Sequence, residues 1–190
     1  MESVCLVAEK GNFHIVPANR ELAGAEVEMV DLPNREMRLK AALETIEGEY
    51  DYILIDCPPA LNLMTVNALC AARSVMIPMQ CEYYALEGLS DLVQTIRKVR
   101  GRLNPGLELE GLLRTMFDPR NALAQQVSGQ LLQHFGEKVY RTIIPRNVRL
   151  AEAPSFGVPV MQHDKTSKGA LAYMALAGEM MKKKDGQARA

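Results

Sequence analysis

Short runs of aliphatic and β-branched residues alternate along this chain with longer stretches of helical periodicity. The runs fall at 13–17 (FHIVP), 51–56 (DYILID), 74–79 (SVMIPM), 107–116 (LELEGLLRTM) and 138–144 (KVYRTII). Helical stretches occupy about 19–46, 61–72, 85–100, 120–136 and 166–183. Strands separated by helices call for crossover connections, and hence for an α/β fold with a doubly wound, mainly parallel sheet and helices on both faces. Apolarity is nearly continuous in YILI and SVMI, as in strands covered on both faces. Within 120–136, Leu123, Val127, Leu131 and Leu132 recur at helical spacing and predict one face packed on the sheet. Pro33 is expected to split the first helical stretch, and Pro105 to sit in a turn with Gly106.

At 190 residues the chain is expected to form one domain, 1–190, without internal repeat or long linker. Hydrophobic residues at 48% and charged residues at 24% exclude wholesale disorder. Lys+Arg 22 against Asp+Glu 23 leaves a net charge of -1, so any nucleic-acid contact has to come from a local patch. No apolar run approaches the roughly 18 residues that span a bilayer, and the start, MESVCLVAEKG, carries acids where a secretory signal carries bases. The expected location is the cytoplasm. Cys5, Cys57, Cys70 and Cys81 show no C-x-x-C spacing, and His14, His134 and His163 are scattered, which indicates neither a zinc site nor a disulfide framework.

Three stretches carry chemistry. In the first, YDYILIDCPP (50–59), a hydrophobic run ends in Asp56 and two prolines stiffen the loop after it. A carboxylate at the end of a parallel strand is placed to meet a metal or phosphate, as a Walker B aspartate does; the same residue could merely cap the next helix. The companion cradle, G-x-x-x-x-G-K-[ST], is absent: none of the 13 glycines is followed by lysine.

In the second stretch, GLLRTMFDPRNAL (111–123), Thr115, Asp118 and Arg120 follow a buried run and could read a base edge or a ribose. The plainer alternative is a turn at Asp118-Pro119 with Asp118 capping the helix. The third, YRTIIPRNVRLAEAPSFGVPV (140–160), sets Arg141, Arg146 and Arg149 among Pro145, Pro154, Phe156 and Pro159. Flat apolar groups there could sandwich a purine and the arginines form a basic patch; a surface loop with solvated arginines is the alternative.

Together these stretches resemble the ParA/Soj family of chromosome- and plasmid-partitioning ATPases, within the deviant Walker A group that includes MinD. The resemblance rests on VPANRELAGAEVEMV (16–30), YDYILIDCPPALNLMTVNAL (50–69), PMQCEYYALEGL (78–89), LLRTMFDPRNALAQQV (112–127) and VYRTIIPRNVRLAEAPSFGVPV (139–160). It implies a P-loop-NTPase-like fold, ATP and Mg²⁺ as cofactors, and Asp56 at the Walker B position. It also implies an adenine pocket lined by Thr115, Met116, Phe117, Pro145, Arg146 and Asn147. Non-specific DNA would bind at Arg141, Arg146, Arg149, Lys165 and Lys168 of an ATP-bound homodimer, on the nucleoid, with a ParB-like protein as partner.

The front of the family pattern is a strand, a K-G-G-x-G-K-T-T loop, a helix and a second strand, and none of it precedes Met1. The expectation is a chain short of at least one βαβ unit, roughly 30 residues or more, with Met1 an internal methionine and no ATPase of its own. A non-hydrolysing remnant acting through protein contacts is the alternative function. Two other readings are weaker. Ala153–Gly157 comes within one residue of a nucleophile elbow, but only His163 follows. The 166–183 helix is apolar nearly all round, which suits packing in protein better than a membrane surface.

Overall fold

The computed structural model describes residues 4–8, 11–58 and 62–187. They form two compact units: the residues up to Val75 together with Leu92–Glu108, and Met76–Asp91 together with the residues from Leu109 onward.

The first unit opens with a hairpin, β1 (Leu6–Ala8) and β2 (Phe13–Ile15), paired antiparallel with Leu6 opposite Ile15. The 13–17 run was expected to enter a crossover unit. Only four residues separate β1 from β2, far fewer than a parallel connection needs, so a hairpin forms instead. Pro33 divides the first helical stretch as expected, into α1 (Glu21–Glu28) and α2 (Arg38–Glu44). The helix α3 (Leu63–Ala71) starts at Asn62, whose Oδ1 accepts from Thr65 N at 3.0 Å. Buried Asn67 ties α3 to α2: its amide accepts from Leu39 N (3.1 Å) and donates to Arg35 O (2.9 Å) and Leu63 O (3.0 Å).

The predicted strand at 51–56 does not form: residues 52–58 belong to no helix or strand. Leu54 is 83% exposed and Ile53 39%. A strand exists only where a neighbour completes its backbone hydrogen bonds, and neither sheet among the described residues includes this segment.

The three-stranded sheet, most of it in the second unit, has the order β3 (Ser74–Gln80), β4 (Glu108–Phe117), β5 (Val139–Pro145), within a residue of the sequence reading at every end. The helix α4 (Ala85–Arg102) links β3 to β4, and α5 (Ala122–Phe135) links β4 to β5. The pair β4/β5 is parallel, with Leu112 opposite Val139, Arg114 opposite Ile143 and Phe117 opposite Pro145. Gly111 permits this approach, since a Cβ there would lie 2.7 Å from Lys138 O and 2.8 Å from the Tyr140 ring.

Both sheet faces are covered. Leu113 packs with Tyr140, Ile144 and Leu176 of α8 (Lys168–Gln187). The next residue, Arg114, points the other way and donates from Nη1 to Ser128 Oγ of α5 at 2.9 Å. After β5 the chain forms two short helices, α6 (Val148–Glu152) and α7 (Val160–His163), before α8.

Among the described strands β5 lies at the edge of its sheet, and a side chain caps its outer N–H groups. The Glu179 carboxylate of α8 accepts from Arg141 N (2.8 Å) and Thr142 N (2.9 Å). Burial pushes the Glu179 pKa up, but those hydrogen bonds and the Lys183 charge outweigh it and hold the carboxyl below the ordinary range. Glu179→Ala leaves two strand N–H groups without this acceptor and is expected to cost about 1–3 kcal/mol in urea unfolding. A carboxyl with a lowered folded-state pKa stabilises above its unfolded pKa, and that contribution is lost as pH falls through the folded one. The gap between parent and variant should therefore close below about pH 4; a gap undiminished in acid would contradict the assignment.

Candidate functional site

Ligand groups in a parallel sheet gather beyond the carboxyl ends of its strands. Here those ends are Thr115–Phe117 of β4 and Pro145–Asn147 around the end of β5, side by side, with Phe117 opposite Pro145. The ladder is irregular between Arg114 and Phe117, and Met116 within it has φ +48°. A left-handed conformation in a residue with a Cβ costs about 1–3 kcal/mol and turns the local peptide groups out of the ladder. Met116 is 50% exposed, so the strain serves no burial.

Asp118 does not cap the next helix. Asn121 does, its Oδ1 accepting from Leu123 N (3.0 Å) and Ala124 N (3.4 Å), while Asn121 N donates to Asp118 O in the turn. Asp118 instead clamps Arg120: Nε and N each reach Oδ1 at 3.0 Å, and Nη2 reaches Oδ2 at 2.8 Å. These bonds, with the charges of Arg120 and Arg146, lower the Asp118 pKa to about 2. Asn147 caps α6, accepting from Arg149 N at 3.0 Å.

The cations divide into two groups. Arg149 is committed to carboxylates, with Nη1 2.8 Å from Glu152 Oε2 and Nε 3.5 Å from Asp164 Oδ2. His163 Nε2 shares the same Glu152 oxygen at 3.4 Å and stacks on Phe156, ring centroids 4.7 Å apart. Hydrogen bonds from Arg149 and then His163 lower the Glu152 pKa. Arg141, Arg146, Lys165 and Lys168 are exposed and take part in no ion pair among the described residues. The sequence reading gave Arg149 the same standing as these four. The acids at its i+3 position and at Asp164 were the available signal that it is otherwise engaged.

Asp56 lies in the first unit and is exposed; Pro59, the second proline after it, and Met1 fall outside the described residues. Its oxygens suit a hard divalent cation. Among the described residues no three His, Cys, Asp or Glu side chains gather to hold a metal, so Asp56 would be one donor beside others from a ligand or water. No helix among the described residues is long and apolar enough to cross a membrane.

A family model described as an AAA domain, AAA_31, matches residues 1–109. The chromosome partitioning protein ParA of Myxococcus xanthus is 56% identical over 171 residues, covering 90% of this chain and 60% of its own length. The sporulation initiation inhibitor protein Soj of Bacillus subtilis is 54% identical over 169 residues, 89% of this chain and 67% of its own. The crystal structure of cobyrinic acid a,c-diamide synthase from Mycobacterium smegmatis with bound ADP and magnesium superposes with a TM-score of 0.76. It is 33% identical and covers 90% of this chain and 63% of that one. The chain thus spans between 60% and 67% of the length of these proteins.

The clamp at the strand end is directly measurable. Asp118 is expected to titrate near pH 2 by NMR, and Arg120→Ala to return it toward the ordinary carboxylate value near 4. Since the folded-state pKa is the lowered one, the clamp is fully formed above about pH 4 and is lost as pH falls toward 2. An unchanged midpoint in the variant would remove Arg120 as the cause.

Proposed function

This chain belongs to the ParA/Soj family of partitioning ATPases and has an α/β, P-loop-NTPase-like fold, and we propose that its β4 and β5 ends form the base side of a nucleotide site in a DNA-binding dimer. The observation that carries the reading is the apposition of Phe117 and Pro145 across a parallel strand pair, next to the outturned backbone of Met116. Apolar surface from Phe117 and Pro145 excludes water from the faces of a purine, while peptide groups at Thr115–Phe117 and the Asn147 amide meet its edges. The clamped Asp118 and Arg120 stiffen the loop after β4. ADP and magnesium in the cobyrinic acid a,c-diamide synthase structure support a nucleotide on this fold.

Asp56 has the metal-facing role: its carboxylate would hold Mg²⁺ directly or through water. When bound, that ion neutralises charge developing on the phosphates. What this sequence does not supply is a G-x-x-x-x-G-K-[ST] cradle for the phosphates themselves. Backbone N–H groups and a lysine from such a loop supply most of the positioning in phosphoryl transfer. A second reading, a non-hydrolysing chain that acts through protein contacts, draws on the exposed apolar residues of the first unit, Leu54 at 83% and Val27 at 75% among them.

For DNA, the proposed phosphate contacts are Arg141, Arg146, Arg149, Lys165 and Lys168. Because the net charge is -1, binding needs two subunits, so that each cation counts twice. Arg149 has to exchange Glu152 and Asp164 for a phosphate, which makes it the weakest contributor of the five. A ParB-like protein is the proposed partner of that dimer.

Two experiments test this reading. Calorimetry and a phosphate-release assay on the 190-residue chain are expected to show weak nucleotide binding and no turnover. Joining a K-G-G-x-G-K-T-T-bearing segment upstream should create turnover that Asp56→Ala abolishes. Tight MgATP binding by the chain alone, or its turnover lost in Asp56→Ala, would show the cradle dispensable and the site misassigned; no turnover in the extended chain would favour the second reading.

Filter binding of random-sequence DNA by the extended, ATP-loaded chain tests the patch. Replacing Lys168 with Ala should reduce the slope of log affinity against log salt by about 1–2 for the dimer. Retention unchanged in the Arg149→Ala, Lys168→Ala double variant would rule the patch out.

A further inference from the structure

In the second unit a histidine and an arginine share one carboxylate oxygen. Glu152 Oε2 accepts from Arg149 Nη1 at 2.8 Å and lies 3.4 Å from His163 Nε2. The three side chains differ in freedom: His163 is 15% exposed, Glu152 38% and Arg149 52%. The imidazole is also stacked on Phe156, with the ring planes 30° apart. It is therefore the fixed member of the group, and Glu152 and Arg149 are the ones that can turn.

Imidazole is the side-chain type that gains and loses its charge between about pH 5 and 8. The carboxylates beside it stay ionised across that window. Hydrogen bonds from Arg149 and then His163 hold Glu152 below the ordinary range, and those from Thr166 do the same for Asp164. α7 packs against α6, the Ala153–Phe156 turn and α8. Of these, α6 brings Arg149 and Glu152, the turn brings no charge, and the start of α8 brings Lys168, with Asp164 and Lys165 in the connection before it. A protonated ring draws a carboxylate to a charge-assisted hydrogen bond of about 2.7–2.9 Å, shorter than the 3.4 Å present. With the ring fixed, Glu152 has to make that move, at the expense of its bond to Arg149, and repulsion between the two cations acts in the same direction. Asp164 does not take over the arginine. Its Oδ1 is held by Thr166 N (3.1 Å) and Thr166 Oγ1 (2.8 Å), and its Oδ2 stays 3.5 Å from Arg149 Nε.

We propose that His163 is a proton-controlled positioning residue for Arg149: when protonated it takes the Glu152 carboxylate and releases the guanidinium to meet a phosphate. When neutral it leaves Arg149 closed on its own acids, which occupy the guanidinium as a phosphate would. The phosphate half of this rests on the DNA contact proposed above for Arg149; the exchange of Glu152 between the two cations does not. Linkage runs in both directions, so a phosphate on Arg149 leaves Glu152 to His163 and favours protonation of the ring by the same factor.

The test follows both side chains by NMR on the 190-residue chain, with carbon-detected Nε–Cζ signals for the arginine and ring C–H signals for the histidine. The pH is taken from about 8 to about 5.5. The Arg149 signal is expected to shift with the same midpoint as the His163 ring. In His163→Gln that shift should vanish, and in Glu152→Gln the signal should stand at its released position throughout. A random-sequence duplex of about 20 base pairs, added at about 50 mM salt so that the contacts of a single subunit register, reads the phosphate half. The parent should respond at about threefold lower duplex concentration at the acid end than at the alkaline end. His163→Gln should lose that difference, and Glu152→Gln should respond at the alkaline end as the parent does in acid.

An Arg149 signal that stays put through the His163 midpoint, or that still shifts in His163→Gln, overturns the proposal. So does a pH-dependent duplex response that survives in Glu152→Gln, since the proton would then act by its added charge alone and not by releasing Arg149. Far-UV circular dichroism checks the fold of His163→Gln, and Glu152→Gln, at a more exposed side chain, gives a reading that does not depend on packing around the ring. Coupled titration without any duplex response sustains the exchange of Glu152 and counts against the DNA reading; a duplex response without coupled titration does the reverse.

Discussion

The parallel pairing of β4 with β5 decides where every candidate group of the second unit lies. Two side chains hold that pair from opposite faces. Arg114, buried at 6% exposure, donates from Nη1 to Ser128 Oγ and from Nη2 to Tyr140 O at 2.9 Å each. Among the described residues no carboxylate is bonded to it and its Nε has no partner. Desolvation lowers its pKa, opposed by the nearby Cys81 and Glu179. An apolar side chain would be buried here at lower cost. What the guanidinium adds is direction: its donors fit the α5 hydroxyl and a β5 carbonyl only when Arg114 stands opposite Ile143. On the other face Glu179 closes the outer edge of β5.

With the register fixed between Arg114 and Ile143, the irregularity that follows has to be absorbed in the next two residues, and Met116 absorbs it. The strain is therefore tied to the carboxyl end of the strand, where the nucleotide site is proposed. A regular ladder would continue pairing through Met116 and point its peptide groups at β5; the bulge releases them. The Asp118–Arg120 clamp then limits the freedom of the chain just beyond.

Much of this was legible in the sequence and some of it could not be. Continuous apolar runs identified β3, β4 and β5 because each finds hydrogen-bonding neighbours close along the chain. The helix caps were not read: Asn62, Asn121 and Asn147 start α3, α5 and α6, whereas the alternative weighed for α5 was Asp118. The apposition of Thr115–Phe117 with Pro145–Asn147 follows from parallel order alone. The φ of Met116 was not legible, since nothing in the residue type favours it and only the register imposes it. Nor was the engagement of Arg149, because Asp164 is brought to it by the fold of α6 and α7 rather than by spacing.

The segment 51–56 shows most plainly what a local pattern can and cannot specify. Apolar side chains on successive positions describe a strand covered on both faces, which in a parallel sheet is an interior strand with a neighbour on each edge. Tertiary pairing, not propensity, supplies the hydrogen bonds. Among the described residues no strand lies against it, and the same side chains that would be core in an interior strand stand in solvent instead, Leu54 above all. The consequence reaches Asp56. A carboxylate at a strand end is aimed by the strand, because alternation fixes which face it serves and the ladder fixes how far it projects. Without a ladder the residue keeps its chemistry and loses its aim, so the metal-facing role proposed for Asp56 depends on a strand pairing with 51–56 as much as on the aspartate itself.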